Sequence, residues 1–374
     1  MYFYFISISS LSFFPVFKYI LECFINSNIN NDNFYLVESH LKGFPSYSSI
    51  VNTRYFHQFK SIDDFNNMSL KLKIKRYVWA FYYIMVARLK KKSIIYTSDF
   101  QVLFIAFTIF KLLGKSNVKL IYHQYELIQK KGNNDILSKI TKNIKFIDLV
   151  IIPEINRLNY FVENTHIATN KTLLFPNTCK IENNITNKHS YLKTFNENDI
   201  IIAHIGNIGF NHFLKEFINH FNSQRLPDNY KLIFIGKQSA QVRQFVSKEN
   251  FKNIYFFNEI PHDELSSVYN YIDYGLILYK PVDLNFENCA PNKLYEYWAH
   301  GVPVIAHKLK GLQGLITDEM GNLVDFFNLN EFDIKKLTKL SELKRNKIKH
   351  NFSINFDVQN FNKELENKLK KIIA

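Results

Sequence analysis

Cysteine is scarce in this chain of 374 residues. The three present, Cys23, Cys179 and Cys289, lie far apart and form no CxxC pair. That argues against a disulfide framework and a thiolate zinc site, and points to a reducing, cytoplasmic compartment. Long apolar runs are also missing, whereas a membrane span needs about 20 mostly apolar residues. The opening MYFYFISISSLSFFPVF has four Ser, a Pro and no basic n-region, and Lys18 and Glu22 follow soon after. It reads as a buried strand, Tyr2–Ile8, then a Ser turn and a helix from near Pro15. No GxSxG, P-loop GKS or GKT, or HExxH occurs, so hydrolase, ATPase and zincin readings lack support. The histidines show no metal-ligand spacing, and no internal repeat or low-complexity tract is present.

Acidic residues are locally absent as well. Between Asp64 and Asp99 there is none, against eight basic ones: Lys71, Lys73, Lys75, Arg76, Arg88, Lys90, Lys91 and Lys92. From Lys335 to His350 seven more (Lys335, Lys336, Lys339, Lys344, Arg345, Lys347, Lys349) stand against Glu342 alone. These two segments account for the whole formal net charge of +14, and the remainder is balanced. The first flanks the apolar, aromatic Tyr77–Ala87, expected to be helical, a pattern suited to an anionic membrane surface. The competing reading is a core helix with solvated ends. No nucleic-acid recognition motif accompanies the charge, so nucleic acid is not an expected partner.

The length suits about two domains. Short apolar runs alternate with helical patterns. Tyr2–Ile8, Phe34–Val37, Ser93–Thr97, Lys119–His123, Leu149–Ile152 and Thr172–Phe175 read as strands in the first half. In the second half Ile200–Ile205, Lys231–Ile235, Ile254–Phe256, Tyr274–Leu278 and Val302–Ala306 do the same. Phe100–Leu113 reads as a helix with Asp99 as N-cap and Gly114 past its end. Strands apolar on both faces and separated by helices imply parallel sheets covered on both sides, hence α/β. The expected architecture is two doubly wound Rossmann-like domains facing across a cleft. They are 1–180 for the acceptor and 181–350 for the nucleotide sugar, with a C-terminal helix, 351–374, packing back on the first. The polar, Asn-rich Cys179–Asn198 is the expected linker.

The most informative stretch is APNKLYEYWAHGVPVIA, residues 290–306. It predicts a short helix after Pro291 ending at Gly301, then a buried strand. Lys293 and Glu296 are three apart and share one helix face near its positive end. A phosphate there would meet helix amides and Lys293, and the Glu296 carboxylate could accept from two vicinal ribose hydroxyls. The competing reading is a surface Lys–Glu pair. Gly206-Asn207-Ile208-Gly209 follows a strand and precedes a helix, where glycines let the main chain approach a phosphate or simply form a tight turn. Lys237 is either a second diphosphate partner or a solvated lysine. His123 ends a strand and could equally cap it.

The whole string resembles the signature of GT-B glycosyltransferases of the retaining family 4 type, the glycosyl transferases group 1. Ile201–Gly209, Lys231–Gly236, Ile254–Leu265, Val268–Leu278, Leu120–Leu127, Asp148–Pro153 and Leu174–Asn177 look like further landmarks. The resemblance spans roughly residues 90–325. It implies a hexosyl- or N-acetylhexosaminyl-transferase taking a nucleoside-diphosphate sugar to a saccharide or lipid-linked acceptor. This would serve lipopolysaccharide, capsule or other surface polysaccharide, peripherally on the inner face of the cell membrane. Glu296 would hold the ribose. Gly206, Asn207, Gly209, Lys237, Asn292, Lys293 and Leu294 would meet the diphosphate or sugar. The loop Asn258–Pro261, Ile260 included, would meet the base. His123 would line the cleft near the reacting sugar, with Glu126 orienting it or binding acceptor. Glu287 would be the second catalytic residue.

Several positions depart from the family pattern. Its second Glu, eight before the ribose-binding one, is here Asn288, with Glu287 one residue off. Its Arg and Lys-Gly after the first strand of the nucleotide domain meet Asn207 and Phe213. The diphosphate charge would then fall to Lys237, Lys280 or Lys293. Ser9-Ser10-Leu11 stands where a glycine-rich loop is common. No Asp-x-Asp occurs, which favours a site without metal, its leaving group met by amides and lysines. No cofactor besides the donor is expected. A nucleotide-sugar 2-epimerase and a degenerate GT-B membrane scaffold are the competing readings.

Overall fold

Seven strands form the first sheet: β1 (Tyr2–Ile6), β2 (Phe34–Leu41), β3 (Asn52–Phe59), β4 (Ser93–Thr97), β5 (Val118–His123), β6 (Leu149–Ile152) and β7 (Thr172–Leu174). Six form the second: β8 (Ile200–Ile205), β9 (Tyr230–Ile235), β10 (Ile254–Phe257), β11 (Tyr274–Ile277), β12 (Val304–His307) and β13 (Gly321–Val324). Every pairing is parallel. The computed structural model describes residues 1–373 apart from 10, 12–13, 27–32, 43–45, 133–134, 182–187 and 262–263. The chain divides into two units, Met1–Pro176 with Phe361–Ala374, and Asn177–Asn360.

The strand orders are β3-β2-β1-β4-β5-β6-β7 and β10-β9-β8-β11-β12-β13. In each sheet the chain winds outward one way and then the other, so the loops after β1 and β4, and after β8 and β11, diverge. Crevices at such reversals are where open α/β sheets take ligands. Central strands such as β8 (IIIAHI) are buried throughout, which is why they read clearly as apolar runs. Two strands escaped the sequence reading, β3 and β13, and both are edges. β3 (NTRYFHQF) has only Phe56 and Phe59 buried, too few to mark a strand.

Three local expectations change. Asp99 precedes the Phe100–Leu113 helix but its carboxylate makes no cap bond. It accepts from the Ser7 hydroxyl (2.5 Å), the Ile8 N–H (2.8 Å) and the Ser9 hydroxyl (3.0 Å). Those bonds cross the β1–β4 crevice; of Ser9-Ser10-Leu11, Ser10 lies outside the described residues. The expected linker Cys179–Asn198 is not free chain in its second part, because Leu192 and Phe195 enter the core of unit 2. Burying each is worth about 2 kcal/mol; residues 182–187 lie outside the description. Of the second basic segment, Arg345 is buried and donates to the Tyr269, Ile272 and His300 carbonyls. Lys339 pairs with the buried Asp273 at 3.2 Å. Those two residues brace the fold, while Lys335, Lys336 and Lys347 are exposed.

Candidate functional site in the second unit

The Asn292–Ala299 helix is fixed on the sheet by Tyr297. Its hydroxyl donates to the Ala203 carbonyl (3.0 Å) and accepts the Ile205 N–H (3.1 Å). Its ring fills the space where a Cβ on Gly275 would fall, 2.5 Å away. Leu294 is fully buried in the core, and its N–H donates to the Pro291 carbonyl at 3.0 Å. It therefore shapes the helix start, and its N–H is already taken where the sequence reading had placed a backbone donor facing the diphosphate. Asn292 and Lys293 are half-buried on the outer side.

Glu296 is 7% exposed. Its Oε2 accepts from Lys293 Nζ (2.7 Å) and from the Tyr269 hydroxyl (2.5 Å), and Lys293 Nζ also reaches that hydroxyl at 3.1 Å. Burial and the neighbouring carboxylate hold the Tyr269 phenol well above its ordinary value, so it stays a donor. A carboxylate fixed between an ammonium and a phenol is pre-oriented to take hydroxyl donors. Tyr269 escaped the sequence reading, since nothing in Val268–Leu278 marks one tyrosine above another.

After β8, Gly206 and Gly236 abut. Gly236 has φ +149°, and a Cβ there would lie 1.8 Å from the Gly206 carbonyl oxygen. The two loops then run together, with the Ile208 N–H donating to the Lys237 carbonyl (2.9 Å) and the Ser239 N–H to Ile208 (3.1 Å). Asn207 and Lys237 are exposed on these loops, and Gly209 is half-buried. Ile260 packs against the core beside β10, and 262–263 lie outside the described residues. The loop after β8 also carries His212, which bridges antiparallel to Tyr279 after β11. His204 of β8 stands 5.9 Å from it, ring to ring. Lys280 follows, paired with Glu216 at 2.7 Å. A search for Arg and Lys alone missed both histidines; counting His as a latent cation would have found them.

Glu287 pairs with Lys310 at 2.9 Å, and its carbonyl accepts the Gly311 N–H. Asn288 is buried and donates to the Leu284 carbonyl at 2.9 Å.

In the first unit, His123 is wholly buried at the end of β5. Its Nδ1 and the Tyr96 hydroxyl share a bond of 2.7 Å, the Tyr125 hydroxyl lies 3.3 Å beyond, and the Tyr125 ring packs on the imidazole at 3.9 Å. Tyr96 therefore orients it; Glu126, exposed to solvent, does not. Burial pushes His123 down to about 3, so it is neutral near pH 7. Its Nε2 has no partner among the described residues.

Residues 187–355, most of the second unit, match the family model of glycosyl transferases group 1. None of the curated proteins matches the chain in sequence. Among solved structures, HepE of Anabaena in complex with UDP-glucose is 14% identical with a TM-score of 0.66, covering 99% of this chain and 100% of its own. The lipopolysaccharide outer core galactosyltransferase WaaB is 15% identical at TM-score 0.68, covering 99% of each chain. A trehalose-6-phosphate synthase, studied for glycosyl transfer with retention, is 12% identical at TM-score 0.69, again over 99% of each. At these identities the structures establish the fold, and the family model establishes the class. The chain has the GT-B fold, and its second unit belongs to the glycosyl transferases group 1 family.

Proposed function

We propose that the chain moves a sugar from a nucleoside-diphosphate donor, held by the second unit, to a lipid-linked saccharide or surface-polysaccharide precursor held by the first. The observation that carries this reading is the Lys293–Glu296–Tyr269 cluster beside the β8–β11 crevice. It joins an acceptor for ribose hydroxyls to a cation for phosphate on one helix end. The HepE complex contains UDP-glucose, and the WaaB name supplies a surface-saccharide acceptor. In this reading an acceptor hydroxyl oxygen bonds to the anomeric carbon as the bond to the β-phosphate oxygen breaks. The hydroxyl proton passes to that phosphate, and front-side attack retains configuration. Lysines, histidines and backbone amides meet the leaving diphosphate, and His123 Nε2 bonds the transferring sugar. An epimerase would act on free donor, and a scaffold would not turn it over at all.

The test is calorimetry with UDP-glucose, UDP-galactose, UDP-N-acetylglucosamine, GDP-mannose and dTDP-rhamnose, followed by donor hydrolysis. Binding of one with slow hydrolysis is the expected result. Failure of every donor overturns the reading, and isomerised free donor replaces it with the epimerase.

The same reading includes peripheral attachment to an anionic membrane. No helix among the described residues is long and apolar enough to cross a bilayer. On the Leu70–Leu89 helix only Ala80, Ile84 and Ala87 are buried. Leu70, Ile74, Val78, Phe81 and Tyr82 form an exposed stripe one helical face wide, flanked by exposed Lys71, Lys73 and Lys75 and followed by Lys91 and Lys92. This favours a docking face over the alternative of a core helix with solvated ends. Charge reversal of Lys91 and Lys92 together with Phe81→Ser is expected to abolish sedimentation with phosphatidylglycerol vesicles and spare donor binding. Unchanged sedimentation would refute the attachment.

A further inference from the structure

Four basic groups stand in electrostatic sequence across the crevice where the loops after β8 and β11 part: Lys293, His204, His212 and Lys280. The outer two are each tied to a carboxylate, Lys293 to Glu296 and Lys280 to Glu216, both at 2.7 Å. The inner two are not. Among the described residues neither imidazole bonds an acidic side chain. His204 Nδ1 faces the Leu276 carbonyl and Nε2 the Asn207 carbonyl, each at 3.2 Å. A neutral imidazole carries one N–H, so one of those contacts sets lone pair against lone pair, and only the imidazolium satisfies both. His212 is 7% exposed and its Nδ1 has no partner among the described residues. A buried polar atom left in that state is costly until something binds it.

Among the described residues no carboxylate acts directly on either ring. Phe234 packs on His204 and Tyr279 on His212; Tyr297 and Tyr269 stand on the Glu296 side as protonated phenols. Glu296 and Glu216 each hold a lysine through one oxygen, and the second oxygen of Glu216 is buried without a partner among the described residues. Burial keeps both rings neutral in this state: with His204 and Lys280 beside it His212 is pushed down to about 4, and His204 is lowered although the Asn207 and Leu276 carbonyls pull it upward. An anion between the lysines would reverse that field and supply the acceptor that a protonated His212 lacks.

We propose that His204 and His212 form a proton-coupled part of the diphosphate subsite, the pair taking up a proton from solvent as a nucleoside-diphosphate sugar settles between Lys280 and Lys293. This rests on the donor reading above. The proton adds to an imidazole nitrogen, no bond of the donor changes, and the proton leaves again with the diphosphate.

Calorimetry on the full chain at pH 7.5, in buffers of different ionisation enthalpy, reads the uptake directly. The probes are the five donors already named, whose diphosphate diesters do not titrate near neutrality. Uptake of about one proton per bound donor is expected, with affinity rising by up to roughly tenfold per pH unit from pH 8 downward. His212→Gln is expected to lose most of the uptake and bind roughly tenfold more weakly. His212→Lys, permanently charged, should restore affinity while uptake stays low, which separates charge from folding. A donor that binds the natural chain with buffer-independent heat overturns this proposal and leaves the donor reading intact. If no donor binds, both fall.

Discussion

The two sheets reverse direction in the same way and treat the resulting crevice in opposite ways. In unit 1 the β1–β4 crevice is stitched shut by Asp99 through Ser7, Ile8 and Ser9. In unit 2 the β8–β11 crevice carries two histidines without carboxylate partners, flanked by lysines. One topology thus gives a structural joint where an internal anion occupies the reversal, and, in the other unit, a crevice whose carboxylates Glu216 and Glu296 are held by lysines while its histidines bond none among the described residues. The difference lies in a few side chains and not in the winding of the chain.

The largest expected effect sets the buried histidines of the two units side by side. His123 and His212 ordinarily titrate near 6.5 and are held down at about 3 and about 4 by burial. The unfolded chain therefore binds more protons than the folded one below pH 6.5. Stability should be complete above that value and fall as pH drops toward 4, by about 1.4 kcal/mol per unit for each histidine. Urea unfolding from pH 7.5 to 5 measures this loss. A saturating donor should offset the His212 share and leave the His123 share, and equal protection of both would erase the contrast.

Next in size, Asp99→Ala should cost about 3 kcal/mol of stability, since three bonds to a carboxylate are lost. Donor affinity per folded molecule should not move, and denaturant titration with calorimetry separates the two. Glu296→Ala should do the reverse, weakening donor binding by about 30-fold, close to 2 kcal/mol, with a change in melting temperature of only a few degrees. Unchanged affinity would remove Glu296 from the ribose. The smallest effect is Tyr96→Phe, which leaves His123 Nδ1 buried without its partner at about 1 kcal/mol. With both phenols protonated, a Tyr125-to-Tyr96-to-Nδ1 donor chain puts the ring proton on Nε2. Nitrogen-15 shifts of His123 should report that tautomer in the natural chain and its loss in the variant.

The sequence made the fold legible where burial is two-sided. β4, β6 and β8 read at their observed bounds because every residue in them is apolar or fully buried. β3 and β13 did not, because an edge strand needs few apolar residues. The Lys293–Glu296 pair was legible too, since helical spacing alone puts both on one face. Tyr269, His204, His212 and Tyr96 were not. Each matters through a partner far away in sequence, such as Tyr269 with Glu296 or His204 with Leu276. Local pattern holds no record of such pairs. Asp99 shows the same limit from the other side, because its position marked a helix start while its oxygens are spent on β1's far end.

The C-terminal helix carries one more consequence. Its residues from Phe361 on belong to unit 1. Leu365 and Leu369 are fully buried, Phe361 meets Phe175, and Lys368 bonds the Asn170 carbonyl. On the ribosome, the first unit therefore cannot close its core until residues 361–369 have been made, whereas the whole of the second is already available to fold. Translation order and completion order are inverted. A fragment ending at Pro176 would leave that surface uncovered, so a faithful fragment of the first unit must include residues 361–374, joined to it by a linker in place of the second.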